Sequence, residues 1–257
     1  MTNNIDPILI NFFIFSIRWY AIFLVLAIIL IIFYLKNIFE ENKIDNNIFY
    51  DFLLYLTIAG ILGARIGYII FYNLKFYLQN PLEIIMVNHG GLSSHGLTIG
   101  ILIGFFIFIK KYKLAWKKLA DLTVLAIPIL IIFVRIGNFF NSEIVGRVTN
   151  LPWGVKFLLF ETPALPRHPV QLYEAILGLF LLVILYIFYK KKYTKSHPLL
   201  LTNIFLLGFF GARFFLEFFK EYQIFDRGLT MGQYLSLPII IFSLVSLLKI
   251  TMKKASD

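Results

Sequence analysis

The sequence predicts an all-α membrane protein with about seven transmembrane helices. Of its 257 residues, 60% are hydrophobic and only 15% are charged, whereas a soluble domain is usually ~45–50% apolar and ~25% charged. Apolar residues recur along the whole chain in runs of about 20, the length that a helix needs to cross a bilayer. Helices are expected because an open strand in lipid would leave backbone groups unpaired.

Seven apolar runs are long enough to be spans, although the third and fourth are short or carry polar residues. Their predicted ranges are 14–35, 50–72, 94–110, 120–138, 170–189, 199–219 and 231–250. No signal-peptide pattern followed by a polar mature domain is visible. The loop 139–169 is the longest, and we expect it to form a small ordered outer subdomain inserted into one polytopic membrane domain, 1–257.

The distribution of lysine and arginine predicts that the N-terminus lies outside and the C-terminus inside. With this orientation, 14 basic residues fall in inner segments and six in outer segments, and the other four are arginines in or beside spans. The net charge of +10 is therefore assigned to topology. Nucleic-acid binding would need a polar basic surface, which the chain largely lacks. The absence of cysteine excludes disulfides and a cysteine nucleophile in this chain.

Polar side chains from six predicted spans converge at one depth, the outer half of the bilayer. Ionisable groups within spans are costly and usually functional. The candidates are Arg18, Tyr20, Arg65, His89, His95, Arg135, Asn138, His168, Arg213 and Glu217. This convergence predicts a site that faces the outer leaflet of the membrane.

Structural interpretations of the same residues stay open at this point. Arg18 and Trp19 suit interfacial anchors, and Tyr20 suits an aromatic belt. Arg65 lies among small residues that permit close helix contact, and Arg213 and Glu217, one helical turn apart, suit an ion pair that locks helices.

The histidines and Asp121 have structural interpretations as well. His89 and His95 could each be satisfied core histidines, and Asp121, at the inner end of the fourth span, suits a helix cap better than a base. The two histidines are six residues apart and no carboxylate cluster accompanies them, so we expect no metal site and no cofactor.

Arginines and a histidine beside a leaflet suit chemistry on an anionic lipid headgroup. Arginine can hold a phosphate with two parallel hydrogen bonds, and histidine can accept a proton near neutral pH. With no cysteine or evident catalytic serine in the chain, we expect the nucleophile to come from the substrate. A small-anion transporter or channel, or another phospholipid headgroup transferase that uses water or an alcohol, are the alternatives.

Six ordered stretches resemble the prolipoprotein diacylglyceryl transferase family, with Arg-x-Gly-Asn-Phe-x-Asn-x-Glu-x-x-Gly-Arg as the most specific run. They extend from the first span to the sixth. The matching stretches are Ser16–Tyr20, His89–Gly96, Arg135–Arg147, Leu151–Gly154, Arg167–Glu174 and Arg213–Phe219.

The resemblance implies a lipid-using enzyme of the bacterial inner membrane whose active site faces the outer leaflet. Its reaction would move a diacylglyceryl group from phosphatidylglycerol to the lipobox cysteine of a prolipoprotein signal peptide. It implies His95 as the base for the thiol, Arg135 as the phosphatidylglycerol-binding arginine and Arg213 as a second essential arginine. It further implies substrate-binding positions, with His168 the weakest of them: Tyr20, Asn138, Glu143, Gly146, His168 and Glu217.

Three positions depart from the common pattern of the family. Ala21 follows Trp19-Tyr20 where glycine is common, Leu97 stands where a second glycine often follows His95-Gly96, and Ser142 replaces a common glycine. Each change is small and lies away from the charged atoms.

Overall fold

The computed structural model describes residues 1–13, 16–86, 90–191, 197–221 and 228–256. Seven helices in this part of the chain are long and apolar enough to cross a membrane, which confirms the predicted fold class. The spans are α1 (Trp19–Glu41), α2 (Asn46–Tyr72), α4 (Ser94–Tyr112), α5–α6 (Trp116–Val124, Ile127–Phe140), α7 (Val170–Lys190), α8 (Leu200–Leu216, continued by the 3-10 turn Glu217–Phe219) and α9 (Met231–Ser256). The short helix α3 (Leu74–Gln79) and a 3-10 turn (Pro81–Ile84) follow α2.

The start of the first span differs from the prediction. Strand β2 (Ile8–Asn11) pairs antiparallel with β3 (Ser16–Arg18), and the helix begins only at Trp19. Arg18 is therefore an exposed strand residue. The stretch from Ile8 into the helix is mostly apolar, so composition alone could not separate paired strands from the start of a span.

The fourth span is broken where the prediction had one continuous helix. Helix α5 ends at Val124, and α6 begins at Ile127 with Pro128 in its first turn. Proline lacks the N–H that would bond back into α5 but fits the first turn of a new helix. The span therefore consists of two consecutive helices, which together are long enough to cross a bilayer.

The chain packs as two compact units: residues 1–35 with 120–257, and residues 36–119. The single polytopic domain, the outer position of residues 139–169 and the N-out orientation remain predictions. In the first unit a three-stranded sheet has the order β1 (Thr2–Asn3), β4 (Val155–Phe157) and β5 (Pro166–Arg167). Phe139, Val145, Val155 and Phe157 form its apolar core.

In the second unit, α2 and α4 pack through glycines. A Cβ built on Gly63 would lie 2.6 Å from the Cα of Gly100, and one on Gly67 would lie 2.6 Å from the Cα of Gly96. These distances are possible only without side chains, as in other small-residue contacts between membrane helices. The backbone contact places the first turn of α4, which contains His95, directly against α2.

We expect Gly96→Ala to destabilise the second unit. The added Cβ would meet the backbone oxygen of Gly63 and lie 2.9 Å from the Cα of Gly67, so the helices must separate at a cost of about 1–3 kcal/mol. Thermal unfolding in detergent measures the effect. Gly211→Ala in α8 is the matched control, because its Cβ would meet no atom within 4 Å; equal unfolding temperatures for the two variants would contradict the packing argument.

Candidate functional site

Helices α6, α7 and α8 place five charged side chains in one continuous ion-pair network. Arg135 of α6 pairs with Glu174 of α7. Lys220, just beyond α8, lies 2.7 Å from Glu174 and 3.2 Å from Glu217, measured between Nζ and the carboxylate oxygens. Arg213 completes the network, with its Nε 3.5 Å from Glu217. The two predicted arginines are thus connected through three other ionisable residues.

Burial differs sharply along this network. The side chains of Glu174, Lys220 and Glu217 are 4%, 2% and 1% exposed, whereas that of Arg213 is 36% exposed. Buried charges are tolerated when they are paired. Here the three buried charges are paired with one another, and Arg213 at the end of the network is accessible to solvent or a ligand.

The arginines have guanidinium nitrogens to spare for a ligand. Arg135 uses Nε for Glu174 and Nη1 for the side-chain oxygen of Asn138, at 3.2 Å. Arg213 contacts Glu217 through Nε. Within the described residues, no further hydrogen bond or ion pair of these two guanidinium groups is found. A phosphate oxygen is a suitable acceptor for the remaining N–H groups.

The N-terminal end of α9 packs against Glu217. Thr230 and Gln233 bond reciprocally, Gln233 N to Thr230 Oγ1 at 3.2 Å and Thr230 N to Gln233 Oε1 at 2.9 Å, which is a capping box. A Cβ on Gly232 would lie 2.5 Å from Oε1 of Glu217. The glycine thus leaves room for a carboxylate at a helix N-terminus, where the helix dipole favours negative charge.

Glu143 has a different environment from Glu217. Its carboxylate accepts hydrogen bonds from Nδ2 of Asn138 at 3.0 Å and Nδ2 of Asn141 at 3.1 Å, and Gln171 donates to its backbone oxygen at 2.6 Å. The side chain is exposed. Glu143 is therefore an oriented acceptor open to a hydroxyl-bearing ligand, whereas Glu217 is buried against cations.

Gly146 and Tyr20 contribute close packing. A Cβ on Gly146 would collide with the backbone oxygen of His168 and lie 2.8 Å from that of Phe219. The ring of Tyr20 lies against Gly137, where a Cβ would be 2.9 Å from Cδ2. Gly146 therefore lets its segment approach the residue before Lys220, and Gly137 lets α1 approach α6, which carries Arg135.

His168 is oriented by a chain of hydrogen bonds with two aromatic neighbours. Trp153 donates from Nε1 to the Tyr173 hydroxyl at 2.8 Å, and that hydroxyl lies 3.2 Å from Nδ1 of His168. The Tyr173 hydroxyl can accept a second hydrogen bond or donate its own proton, so in the neutral ring either nitrogen of His168 can carry the proton. Burial lowers the pKa of His168, which favours this neutral form. The lowered pKa makes His168 a weaker base than a free imidazole.

Arg65 and Arg167 have structural roles. Each of the five N–H groups of Arg65 donates to a backbone carbonyl, and its guanidinium lies 5.0 Å from the ring centroid of Tyr77. Its acceptors are the oxygens of Glu83, Ile84, Met86, Gly90 and Gly91. Arg167 bonds both oxygens of Glu161 at 2.7 Å, and this bond raises the pKa of Arg167 and lowers that of Glu161. The structural interpretation of Arg65 is confirmed.

Asp121 is a helix cap, as predicted. Its carboxylate accepts the backbone N–H groups of Leu199 at 2.7 Å and Thr202 at 2.8 Å, and the Thr202 hydroxyl at 2.8 Å. It therefore caps α8, a neighbouring helix, and its oxygens are committed to that role.

His95 belongs to the second compact unit. It lies in the first turn of α4, where Ser93 Oγ accepts the N–H of Gly96 at 3.2 Å. Its side chain is exposed. Gly91, four residues earlier, has a positive φ of 80° and lies against Arg65 and Tyr68, so the approach to α4 is fixed by contacts within this unit. His89 lies outside the described residues.

Sequence reasoning did not single out Glu174 and Lys220. Glu174 lies inside the predicted fifth span, so the rule that draws attention to ionisable residues in spans could have found it. Lys220 was counted only as an outer lysine for topology. Its position three residues after Glu217 was the available signal, since such spacing brings side chains together on a helical turn.

Comparison with known proteins gives consistent matches along nearly the whole chain. A family model for prolipoprotein diacylglyceryl transferase matches residues 7–249. Proteins called phosphatidylglycerol–prolipoprotein diacylglyceryl transferase are similar: that of Ehrlichia ruminantium is 36% identical over 251 residues, covering 94% of this chain and 95% of the relative. That of Rickettsia typhi is 39% identical over 245 residues, covering 93% and 94%. That of Wolbachia pipientis is 38% identical over 248 residues, covering 94% of both.

Proposed function

We infer that this chain, which belongs to the prolipoprotein diacylglyceryl transferase family, transfers the diacylglyceryl group of phosphatidylglycerol to a prolipoprotein in lipoprotein maturation. The acceptor is the thiol of the lipobox cysteine in the signal peptide. The products are a thioether-linked prolipoprotein and glycerol phosphate. The protein acts in the bacterial inner membrane with its N-terminus outside, and its site opens to the outer leaflet of the bilayer.

One observation carries this proposal: two arginines with unused guanidinium nitrogens end a buried network of three cations and two carboxylates. The network has one formal positive charge in excess. The phosphodiester of phosphatidylglycerol carries one negative charge, and arginine binds phosphate oxygens with a geometry that lysine cannot match. Arg135 and Arg213 would bind this group from two sides.

The reaction is a displacement at the glycerol carbon that bears the phosphate. The cysteine sulfur forms the new C–S bond, and the C–O bond breaks with its electron pair on the departing phosphate monoester. The thiol proton passes to a base, for which His95 is the candidate. Negative charge grows on the leaving phosphate in the transition state, so arginines placed there lower the barrier more than they stabilise the substrate.

Asn138 and Glu143 are proposed to bind the free glycerol end of the lipid headgroup. The carboxylate of Glu143 is exposed and oriented by two amides, so it can accept hydrogen bonds from a vicinal diol. Glu217 orients Arg213. His168 contributes a hydrogen bond from its ring, while Tyr20 and Gly146 shape the surroundings. No cofactor has a role in this scheme.

Release of glycerol phosphate that requires a cysteine-bearing peptide tests the proposal. Purified protein in phosphatidylglycerol vesicles is incubated with a lipobox peptide or with the same peptide carrying serine at the cysteine position. We expect glycerol phosphate and thioether only with cysteine, in equal amounts. Release without peptide would indicate a hydrolase. Phosphate flux without release would indicate an anion transporter.

A further inference from the structure

Lys220 is the central residue of the ion-pair network and is almost completely buried. Its Nζ lies 2.7 Å from Glu174 and 3.2 Å from Glu217, the two carboxylates that contact Arg135 and Arg213 respectively. Neither arginine contacts the other's carboxylate in these pairs. Glu174, Lys220 and Glu217 are therefore the physical connection between the two arginines, with Lys220 at its centre.

The backbone around Lys220 is fixed by the segment that contains Gly146. Arg147 N donates to Phe219 O at 2.8 Å, Glu221 N donates to Val145 O at 3.2 Å, and Arg147 Nε donates to Lys220 O at 3.1 Å. The absence of a side chain on Gly146 permits this approach. The long lysine side chain is thereby held in one direction, and little conformational entropy remains to be lost on ligand binding.

The net charge of the network follows from its five members. Arg135, Arg213 and Lys220 face Glu174 and Glu217, which leaves one positive charge in excess. In a buried environment this excess acts strongly on a bound anion because little water screens it. Glu143 is attached only through Asn138 and is exposed, so solvent screens its charge.

We propose that Lys220 and Glu174 are positioning residues that join Arg135 and Arg213 into one phosphate-binding unit, with an excess charge matched to a phosphodiester monoanion. This inference rests on the proposed function. Lys220 fixes the distance between the two guanidinium groups, and Glu174 limits the excess charge to one. The phosphate of phosphatidylglycerol then completes the charge balance of the network.

Two single variants change the charge in opposite directions with little change in volume. Lys220→Met removes the excess positive charge, and Glu174→Gln doubles it. With glycerol phosphate as a product inhibitor, we expect the inhibition constant to rise about tenfold in Lys220→Met and to fall about tenfold in Glu174→Gln. Both variants should lose at least about tenfold in kcat, because each breaks the connection between the arginines.

The double variant Glu174→Gln/Lys220→Met separates positioning from stability. Replacing both partners of a buried ion pair is often neutral for stability, whereas removing one is costly. We expect the unfolding temperature and the inhibition constant to return close to wild type while kcat stays at least about tenfold low. Recovery of kcat together with stability would assign these residues a purely structural role and overturn the proposal. So would single variants with kcat and inhibition constant within about twofold of wild type.

Two further variants complete the experiment. Lys220→Arg keeps the charge and can still bond two carboxylates, so it should retain more kcat than Lys220→Met; equal losses would contradict the bridging role. If a single variant fails to fold, the double variant and Lys220→Arg decide the question. Lys156→Met removes an exposed lysine of β4 and should keep wild-type values. Failure of wild-type protein to release glycerol phosphate would instead refute the proposed function.

Discussion

Arg213→Ala is expected to lower kcat/KM for diacylglyceryl transfer about 100- to 1,000-fold, the cost typical of removing a charge-stabilising group from an active site. Its free energy of unfolding should change by about 1 kcal/mol, because the arginine is partly exposed and the buried carboxylate of Glu217 keeps Lys220 as a partner. The side chain is 36% exposed and its one contact in the ion-pair network measures 3.5 Å. Rates of glycerol phosphate release and thermal unfolding in detergent measure the two effects.

Arg135→Ala provides the contrast. It should reduce kcat/KM by a similar factor, but it also leaves the buried carboxylate of Glu174 with Lys220 as its remaining ion-pair partner. Breaking a buried ion pair from one side costs about 3–5 kcal/mol, so this variant should unfold at a clearly lower temperature. The two arginines should thus be alike in catalysis and unlike in stability.

Matched variants make the arginine prediction specific. Arg213→Lys keeps the charge but loses the fork geometry, so its activity should lie between wild type and Arg213→Ala. Lys156→Ala changes the net charge of the chain equally at an exposed position and should be fully active. A fully active Arg213→Ala protein would refute phosphate binding by this arginine, and loss of activity only in step with lost stability would make its role structural.

The sequence predicts the spans well because the physics of a span is local. Some 20 apolar residues suffice to define one, and all seven predicted spans have a counterpart. It fails where the outcome depends on pairing: the strands Ile8–Asn11 and Ser16–Arg18 precede α1 in a mostly apolar stretch, and only strand pairing separates them from the helix.

The two arginines at the ends of the ion-pair network could be predicted from the sequence, but the connection between them could not. Arg135 and Arg213 stand out in sequence because an arginine inside a span is energetically costly and is usually functional. The connection between them depends on Lys220, whose direction is set by contacts with a segment more than 70 residues earlier. Such long-range packing leaves no periodic or compositional signal. Arg65 shows the converse: it also stands out as an arginine in a span, but its five carbonyl partners in the segment after α3 give it a structural role.

His95→Ala should lose activity in a strongly pH-dependent manner. A free thiol has a pKa of about 8.5, so about 3% of the substrate cysteine is ionised at pH 7 and about three-quarters at pH 9. A base is therefore needed at pH 7 and nearly dispensable at pH 9. We expect the loss of kcat/KM to be at least about tenfold larger at pH 7 than at pH 9, measured with the same peptide and vesicles.

The structure makes this variant a clean test. The His95 side chain is exposed, while the cap from Ser93 to Gly96 and the glycine contacts of α4 involve other residues, so α4 should keep its position. His168→Gln is the matched control: His168 has a proposed role in hydrogen bonding only, and the Tyr173 hydroxyl already contacts its Nδ1, so its loss should be the same at both pH values. If the pH dependence appeared in His168→Gln and not in His95→Ala, the base would be His168.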